Sequence, residues 1–322
     1  MKQRFEHEHY LGLFLVLLFL VLLIFADGFF SLNNVMSMLN RFSIIVIAAI
    51  GMNMIILTSN IDVSAGNIIS VVCITIAILG KFGFGLPILL PAAIIMGALL
   101  SLVNALFITR FRIPAIVATL ATAQLFSGIL PLVVDGSIYD LPPSFTWLGF
   151  NARIFNVIPG SVLIMLVIVV VALFFLKYSR FAKKIYAVGN NVEAARLNGI
   201  NAKNVVLVTY LIAGGLFGIS GTIIATASQR VTTTMGSGLE MTFIAAVVLG
   251  GTSIAGGSGK LLGTIFGVAV LTIISPAINY LGISADWSDA IMGTIIILAV
   301  IVSAFRLKRR RHTVSMLKKV ST

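Results

Sequence analysis

The chain of 322 residues is 59% hydrophobic and only 10% charged, whereas soluble domains carry about 25% charged residues. Its mean hydropathy of +1.12 excludes a water-soluble domain, because so few charged side chains cannot cover a folded surface. The 22 Lys and Arg outnumber the 10 Asp and Glu and give a net charge of +12. In a soluble protein this excess would suggest a nucleic-acid partner, so the positions of the charges decide its meaning.

Ten runs of 16 or more residues contain no Asp, Glu, Lys or Arg. Each is close to the ~20 residues that a helix needs to cross a bilayer core about 30 Å thick, and the first run lacks the alternation of a barrel strand. The sequence therefore predicts an all-α integral membrane protein with about ten transmembrane helices. Two of the runs, 63–80 and 241–259, are rich in small residues, so the count could differ by one or two. The predicted spans are 11–26, 42–61, 63–80, 82–109, 113–134, 154–176, 204–229, 241–259, 261–285 and 290–305.

The basic residues indicate the orientation of these spans. If the N-terminus is cytoplasmic, 18 of the 22 Lys and Arg lie on the inner side. Arg and Lys are concentrated in cytoplasmic loops of membrane proteins, so we expect both termini in the cytoplasm. The predicted organisation is a cytoplasmic segment of residues 1–10, a membrane domain of residues 11–305 and a basic cytoplasmic tail of residues 306–322.

The longest inner loop, residues 177–203, contains the signals of a short helix. Asn190 or Asn191 is a good N-cap, Glu193 lies in the first turn, and Gly199 is a plausible terminator. A helix of about two turns is marginal alone in water and needs a surface to pack on. That surface is either this protein's own cytoplasmic helix ends or a groove on a separate cytosolic protein.

The longest outer loop, residues 135–153, contains Asp135, Asp140, Pro142, Pro143 and Trp147. Its prolines indicate a rigid turn. We interpret the loop as a plain connector with an interfacial tryptophan, or alternatively as a docking surface for an external partner.

Several motifs resemble one family of transporters. Glu193-Ala194-Ala195 followed by Gly199-Ile200 is similar to the cytoplasmic EAA-type loop of ATP-binding-cassette (ABC) importer permeases. The sequence resembles in particular the ribose or monosaccharide type within the branched-chain amino acid and sugar permease superfamily, to which autoinducer-2 permeases also belong. Further matching stretches occur in family order over roughly residues 10–305, namely 60–66, 113–120, 189–201 and 238–259.

The resemblance implies a non-catalytic permease subunit of the bacterial plasma (inner) membrane that pairs with a second copy or a paralogue. It would receive a sugar from an extracytoplasmic solute-binding protein and be driven by two cytosolic ABC ATPase subunits or a fused tandem ATPase. The ATPase-coupling role falls on residues of the loop 177–203. These are Glu193, Ala194, Ala195, Arg196 and Gly199. The substrate is left open among ribose, a hexose or deoxyhexose, and a furanose-like signal molecule of the autoinducer-2 type.

A path for such a solute requires uncharged polar side chains scattered over several spans. Any one of these residues is more often a helix-to-helix hydrogen bond than a pore lining, and Asp62 has the chemistry of a helix cap or a structural turn. The candidate path residues are Asn53, Asn60, Asp62, Ser64, Asn104, Thr119, Thr122 and Gln124.

Small residues four positions apart predict close helix contacts. The predicted pairs are Gly97 with Ser101, Gly214 with Gly218, and Gly251 with Ala255. The run 256–259 is interpreted instead as a break between helices.

Other chemistry is not expected. The run 256–260 ends in Gly-Lys like a phosphate loop, but Ile254 and Leu261 stand where that motif needs Gly and Ser or Thr, so we expect ATP hydrolysis on a separate subunit. The three histidines lie in the terminal segments and Cys73 lies in a predicted span, so a metal site, a cofactor or a nucleophilic thiol is not expected. An ion-coupled transporter is a less favoured alternative, because it would usually place an ionisable group within the bilayer.

Overall fold

The computed structural model describes residues 7–139, 141–142, 145, 153–154, 158–228 and 230–282, and positions 284, 287, 290, 293, 294 and 297. Most of these residues are helical. The first half contains α1 (His7–Phe25), α2 (Leu32–Leu57), α3 (Ala65–Lys81), α4 (Leu86–Thr109) and α5 (Ala115–Val133). The second half contains α6 (Gly160–Tyr178), α7 (Arg180–Asn190), α8 (Val192–Leu197), α9 (Ala202–Thr226), α10 (Leu239–Leu249) and α11 (Leu261–Tyr280).

Four two-residue strands join the connecting segments. They are β1 (Ser137–Ile138), β2 (Arg153–Ile154), β3 (Ile158–Pro159) and β4 (Val231–Thr232). β1 pairs with β4 in antiparallel register, Ser137 opposite Thr232, and β2 pairs with β3. The β1–β4 pair places the segment after α5 beside the segment after α9.

Six helices are long and apolar enough to cross a membrane, namely α2, α4, α5, α6, α9 and α11. Three shorter apolar helices fall on α1, α3 and α10. Nine of the ten predicted spans thus contain a described helix. The tenth span, 290–305, is described only at isolated positions, and residues 1–6 and the tail 306–322 lie outside the described residues.

Two predicted boundaries, the start of the second span and the end of the eighth, are wrong by ten residues. α2 begins at Leu32 and includes Arg41, which the sequence pattern had placed in a loop. The helix in the run 241–259 ends at Leu249, and α10 has 11 residues in all, about 16 Å of helix at 1.5 Å per residue. Glycines limit it, because Gly238 before the helix has φ +85 and Gly251 after it has φ +89, a conformation that side chains with a Cβ disfavour. The predicted Gly251–Ala255 helix contact is therefore wrong, since both residues lie in turns.

The core is built around α9, which packs against α2, α3 and α4. The α4–α9 contact is the most extensive among the described helices, and it is close: a Cβ at Gly97 would overlap the carbonyl oxygen of Gly214, and one at Gly218 would overlap the carbonyl of Ala93. Ser101 lies directly against Gly214. The two small-residue pairs predicted on these helices are therefore confirmed as a close antiparallel contact.

The outer faces of α1, α4, α5 and α6 expose many large apolar side chains, such as Leu23, Ile95, Leu125 and Val167. An apolar surface of this extent is unusual for a soluble monomer and is the surface that lipid covers. α2 and α3 are shielded from it, because their central residues are almost completely buried.

Candidate functional site

The short helix predicted in the loop 177–203 is present as α8. Asn191 is its N-cap, and the side-chain oxygen of Asn191 accepts a hydrogen bond of 3.0 Å from the backbone N–H of Ala194. Gly199 follows the C-cap with φ +73, and the N–H of Ile200 donates to the carbonyl of Ala195 at 3.0 Å. The predicted N-cap at Asn191 and the predicted C-terminal glycine at Gly199 are therefore confirmed.

α7 precedes α8 and was not predicted. Ser179 is its N-cap and accepts a hydrogen bond of 3.0 Å from the N–H of Phe181. One face of α7 buries Ala182, Ile185 and Val188, whereas the other exposes Arg180, Lys183 and Lys184. The apolar residues recur at three-residue spacing, which is the signal of an amphipathic helix. The three charges in five residues obscured it.

α8 presents most of its surface to the exterior. Ala195 is buried, whereas Glu193 and Arg196 are exposed and form an ion pair of 3.2 Å along the helix. The side chain of Leu197 is 89% exposed. The protein's own cytoplasmic surface thus covers α8 only on the side of Ala195. Leu197, at the end of the helix, remains uncovered.

α7 and α8 together are called the coupling segment, after the role that the sequence resemblance implies for α8, and this segment packs against two other parts of the fold. Gly189 packs against the carbonyl of Leu57 at the end of α2, where a Cβ would overlap that oxygen. The N–H of Gly257, in the turn after α10, donates to the same carbonyl at 3.0 Å. The hydroxyl of Tyr186 donates to the carbonyl of Gly259 at 3.1 Å, and burial raises the pKa of Tyr186, which keeps it a donor.

Five of the eight candidate path residues form one buried polar network. Asp62 is fully buried, and its Oδ1 accepts hydrogen bonds from the N–H of Ser64 at 2.9 Å and from its hydroxyl at 2.6 Å. The side-chain N–H of Asn104 donates to the Ser64 hydroxyl at 2.7 Å, and Thr122 donates to the Asn104 oxygen at 2.6 Å. Thr119 accepts a hydrogen bond of 3.1 Å from the N–H of Val63. The network joins the α2–α3 connection to α4 and α5.

The other three candidates lie elsewhere. Asn53 donates to the hydroxyl of Thr264 at 2.7 Å and so joins α2 to α11. Asn60 is half-buried and donates to Thr58 within its own turn. Gln124 is exposed on α5, on the side that faces away from the network.

Two residues with buried polar atoms near this network, Tyr210 and Glu240, were not among the candidates. Oδ2 of Asp62, Oε2 of Glu240 and the hydroxyl of Tyr210 are buried without a hydrogen-bond partner among the described residues. The Glu240 carboxylate lies against Gly66 in the first turn of α3, where a Cβ would overlap it. Sequence spacing gave no signal for this contact, because 174 positions separate Gly66 from Glu240.

Comparison with known proteins identifies the family. A family model described as the permease component of the branched-chain amino acid transport system matches residues 34–300. The chain is 31% identical over 293 residues to the ribose import permease protein of Escherichia coli (strain K12), covering 89% of this chain and 91% of that protein. It is 35% identical over 292 residues to the autoinducer 2 import system permease protein of Yersinia enterocolitica serotype O:8, covering 90% and 80%.

The corresponding autoinducer 2 permease protein of Photorhabdus luminescens is 33% identical over 292 residues, covering 90% of this chain and 87% of that protein. No solved structure matches the chain significantly. The chain belongs to the family of branched-chain amino acid transport system permease components and is a multi-pass protein of the bacterial plasma membrane.

Proposed function

We propose that this chain is the permease subunit of an ATP-driven importer of a monosaccharide such as ribose. The relatives named as ribose and autoinducer 2 import permeases, which match about nine tenths of this chain, support a small sugar-like solute. ATP is hydrolysed on two cytosolic ATPase subunits or a fused tandem ATPase. An extracytoplasmic solute-binding protein delivers the solute, and a second copy or a paralogue of this chain completes the pore.

The observation that carries the proposal is the geometry of α8. Its buried Ala195 fixes it to the protein, while Leu197 is left uncovered at its tip. A short helix that exposes Val192 and Leu197 beside the charged side chains of Glu193 and Arg196 fits a groove on a partner. We assign the ATPase contact to Glu193, Ala194 and Arg196 on α8, with Ala195 and Gly199 holding the helix in position.

Ten transmembrane helices with cytoplasmic termini remain part of the proposal. The orientation is supported by the grouping of loops. The end of α2, the coupling segment and the turn after α10 contact one another, and all three were assigned to the inner side from the basic residues. The β1–β4 pair joins two loops that were assigned to the outer side.

The buried polar network is proposed to border the solute path. In this conformation its members bond to one another, which supports a structural role for them at rest. A solute would then be contacted only when α4 and α5 move relative to the α2–α3 connection.

Transport assays in membrane vesicles test the proposal. We expect uptake of radiolabelled ribose, or of another sugar in a panel, only when the ATPase subunits, ATP and the binding protein are all present. Uptake driven by a proton gradient without ATP would contradict the proposal and favour an ion-coupled transporter. Uptake of an autoinducer-2-type furanose in place of every sugar tested would retain the ATP-driven mechanism and replace the substrate.

A further inference from the structure

Ser59 connects three segments that are far apart in the sequence. It follows the end of α2, and its hydroxyl lies 2.9 Å from the carbonyl oxygen of Gly189 on α7 and 2.8 Å from that of Ala255 in the turn after α10. A hydroxyl has one hydrogen, so Ser59 can donate fully to only one of these carbonyls at a time. The two acceptors belong to the coupling segment and to the turn beside it.

The backbone around Ser59 is held in an unusual conformation. Ser59 has φ +64, and Arg112 is the only other residue besides glycine with positive φ among those described. Such a conformation is unfavourable for a residue with a Cβ. Gly256 packs so closely on Ser59 that a Cβ at Gly256 would overlap the Ser59 hydroxyl. The packing of the surrounding segments therefore holds Ser59 in a backbone conformation that is locally unfavourable.

The same connection leads directly to the buried polar network. Three residues after Ser59, Asp62 accepts the hydrogen bonds from Ser64 that anchor the network. On the other side, Asn191 caps α8 immediately after α7 ends. A displacement of α8 thus reaches Asp62 through α7 and the Ser59 turn without passing through a long flexible segment.

From these contacts the structure assigns to Ser59 the role of a positioning residue, one whose hydroxyl fixes the coupling segment relative to the α2–α3 connection. The inference rests on the proposed function and extends it, since it identifies the part of the membrane domain that the coupling helix moves. When α7 shifts, the hydroxyl can exchange the Gly189 carbonyl for that of Ala255, and the network that begins at Asp62 changes its position with the turn.

The test uses Ser59→Ala and Ser59→Gly in the full chain. Alanine removes the hydroxyl and keeps the unfavourable φ, whereas glycine removes the hydroxyl and also relieves the backbone. Ser37→Ala is the matched control, because Ser37 is exposed on α2 and donates only to Asn33 in its own helix. Each variant is assembled with the wild-type ATPase and binding protein, and solute uptake is measured against ATP hydrolysis.

For both Ser59 variants we expect normal assembly and ATP hydrolysis, with the number of solute molecules moved per ATP reduced about two- to twelvefold, the equilibrium effect of one net hydrogen bond. The ratio for Ser37→Ala should equal that of the wild type. An unchanged ratio in Ser59→Ala, or a ratio restored in Ser59→Gly, would overturn the assignment.

Amide hydrogen exchange of the purified permease provides a second readout that needs no partner. Both Ser59 variants should exchange faster over residues 185–191 and 255–259, whereas Ser37→Ala should not. If no wild-type assembly couples ATP to uptake, the proposed function fails while this exchange result still decides whether Ser59 positions α7. Unchanged exchange in these segments would refute the positioning role even if transport is ATP-driven.

Discussion

The central side chain of the buried network is Asn104, because it donates to Ser64 and accepts from Thr122. Replacing it by alanine removes one hydrogen bond from each partner, while Ser64 keeps its bond to Asp62 and Thr122 its bond to the Thr119 carbonyl. Each lost bond costs about 0.5–1.5 kcal/mol. We expect Asn104→Ala to lower the midpoint of thermal unfolding in detergent. Gln124→Ala, an amide removed from the exposed face of the adjacent helix, should leave the midpoint unchanged. Equal losses in the two variants would show that the network adds no stability.

The cap and the terminator of α8 were predictable from the sequence because their roles are set by near neighbours. The Asn191 side chain accepts a hydrogen bond from the N–H of Ala194, three residues away, and Gly199 ends the same helix. The local sequence is therefore sufficient to predict both roles. Ser59 and Glu240 act through contacts with segments more than 100 positions away. Their residue types are ordinary and only the packing of the helices gives them partners.

Among the helices, α8 makes the most specific prediction about a partner. Leu197→Ser should leave the thermal unfolding midpoint within the range of ordinary surface substitutions, because the side chain is 89% exposed. It should weaken co-purification of the ATPase about tenfold, since burying a leucine contributes about 1.5–3 kcal/mol.

Leu132→Ser is the control for this variant. Leu132 is 86% exposed but lies at the end of α5 that was assigned to the outer side, so its replacement should not affect binding of a cytosolic protein. Undiminished ATPase binding by Leu197→Ser would remove α8 as the docking element.

The α4–α9 contact was predictable because glycine spacing is a property of the sequence. Gly97→Val places side-chain atoms where the Gly214 carbonyl lies, and overpacking of this kind costs about 1–3 kcal/mol. Gly128→Val is the matched change in α5, where an added Cβ meets nothing within 4 Å. We expect only Gly97→Val to reduce the yield of folded protein and its unfolding midpoint. Similar behaviour of the two variants would mean that helix propensity, rather than packing, sets the effect.

Element boundaries were less predictable than element positions. Splitting the chain at its charges located a helix in nine of the ten predicted spans, because a lipid environment excludes unpaired charge. The same rule missed α7, which carries charges on one face, and overestimated α10, which glycines interrupt. Hydropathy therefore predicts which segments lie in the membrane, but it does not predict where glycines end a helix.

At the scale of the whole molecule, the net charge of +12 is the basis of the proposed orientation of the chain in the membrane. Of the 22 basic residues, 18 fall on the side assigned to the cytoplasm, and α7 exposes Arg180, Lys183 and Lys184 there. Each basic residue near an anionic inner leaflet contributes about 1 kcal/mol of attraction. With the proposed orientation, anionic lipid and the proposed ATPase partner account for the excess of basic residues without a nucleic-acid partner.

This orientation can be measured with single cysteines, because the native Cys73 is completely buried and should stay unlabelled. Phe82→Cys reports the outer side, since Phe82 is 75% exposed after α3, and Lys184→Cys reports the exposed face of α7. A membrane-impermeant maleimide added to spheroplasts should label Phe82→Cys at once and Lys184→Cys only after permeabilisation. Labelling of Lys184→Cys from outside would invert the topology and place α8 beyond the reach of any cytosolic ATPase, so this one assay tests the membrane orientation and the coupling assignment together.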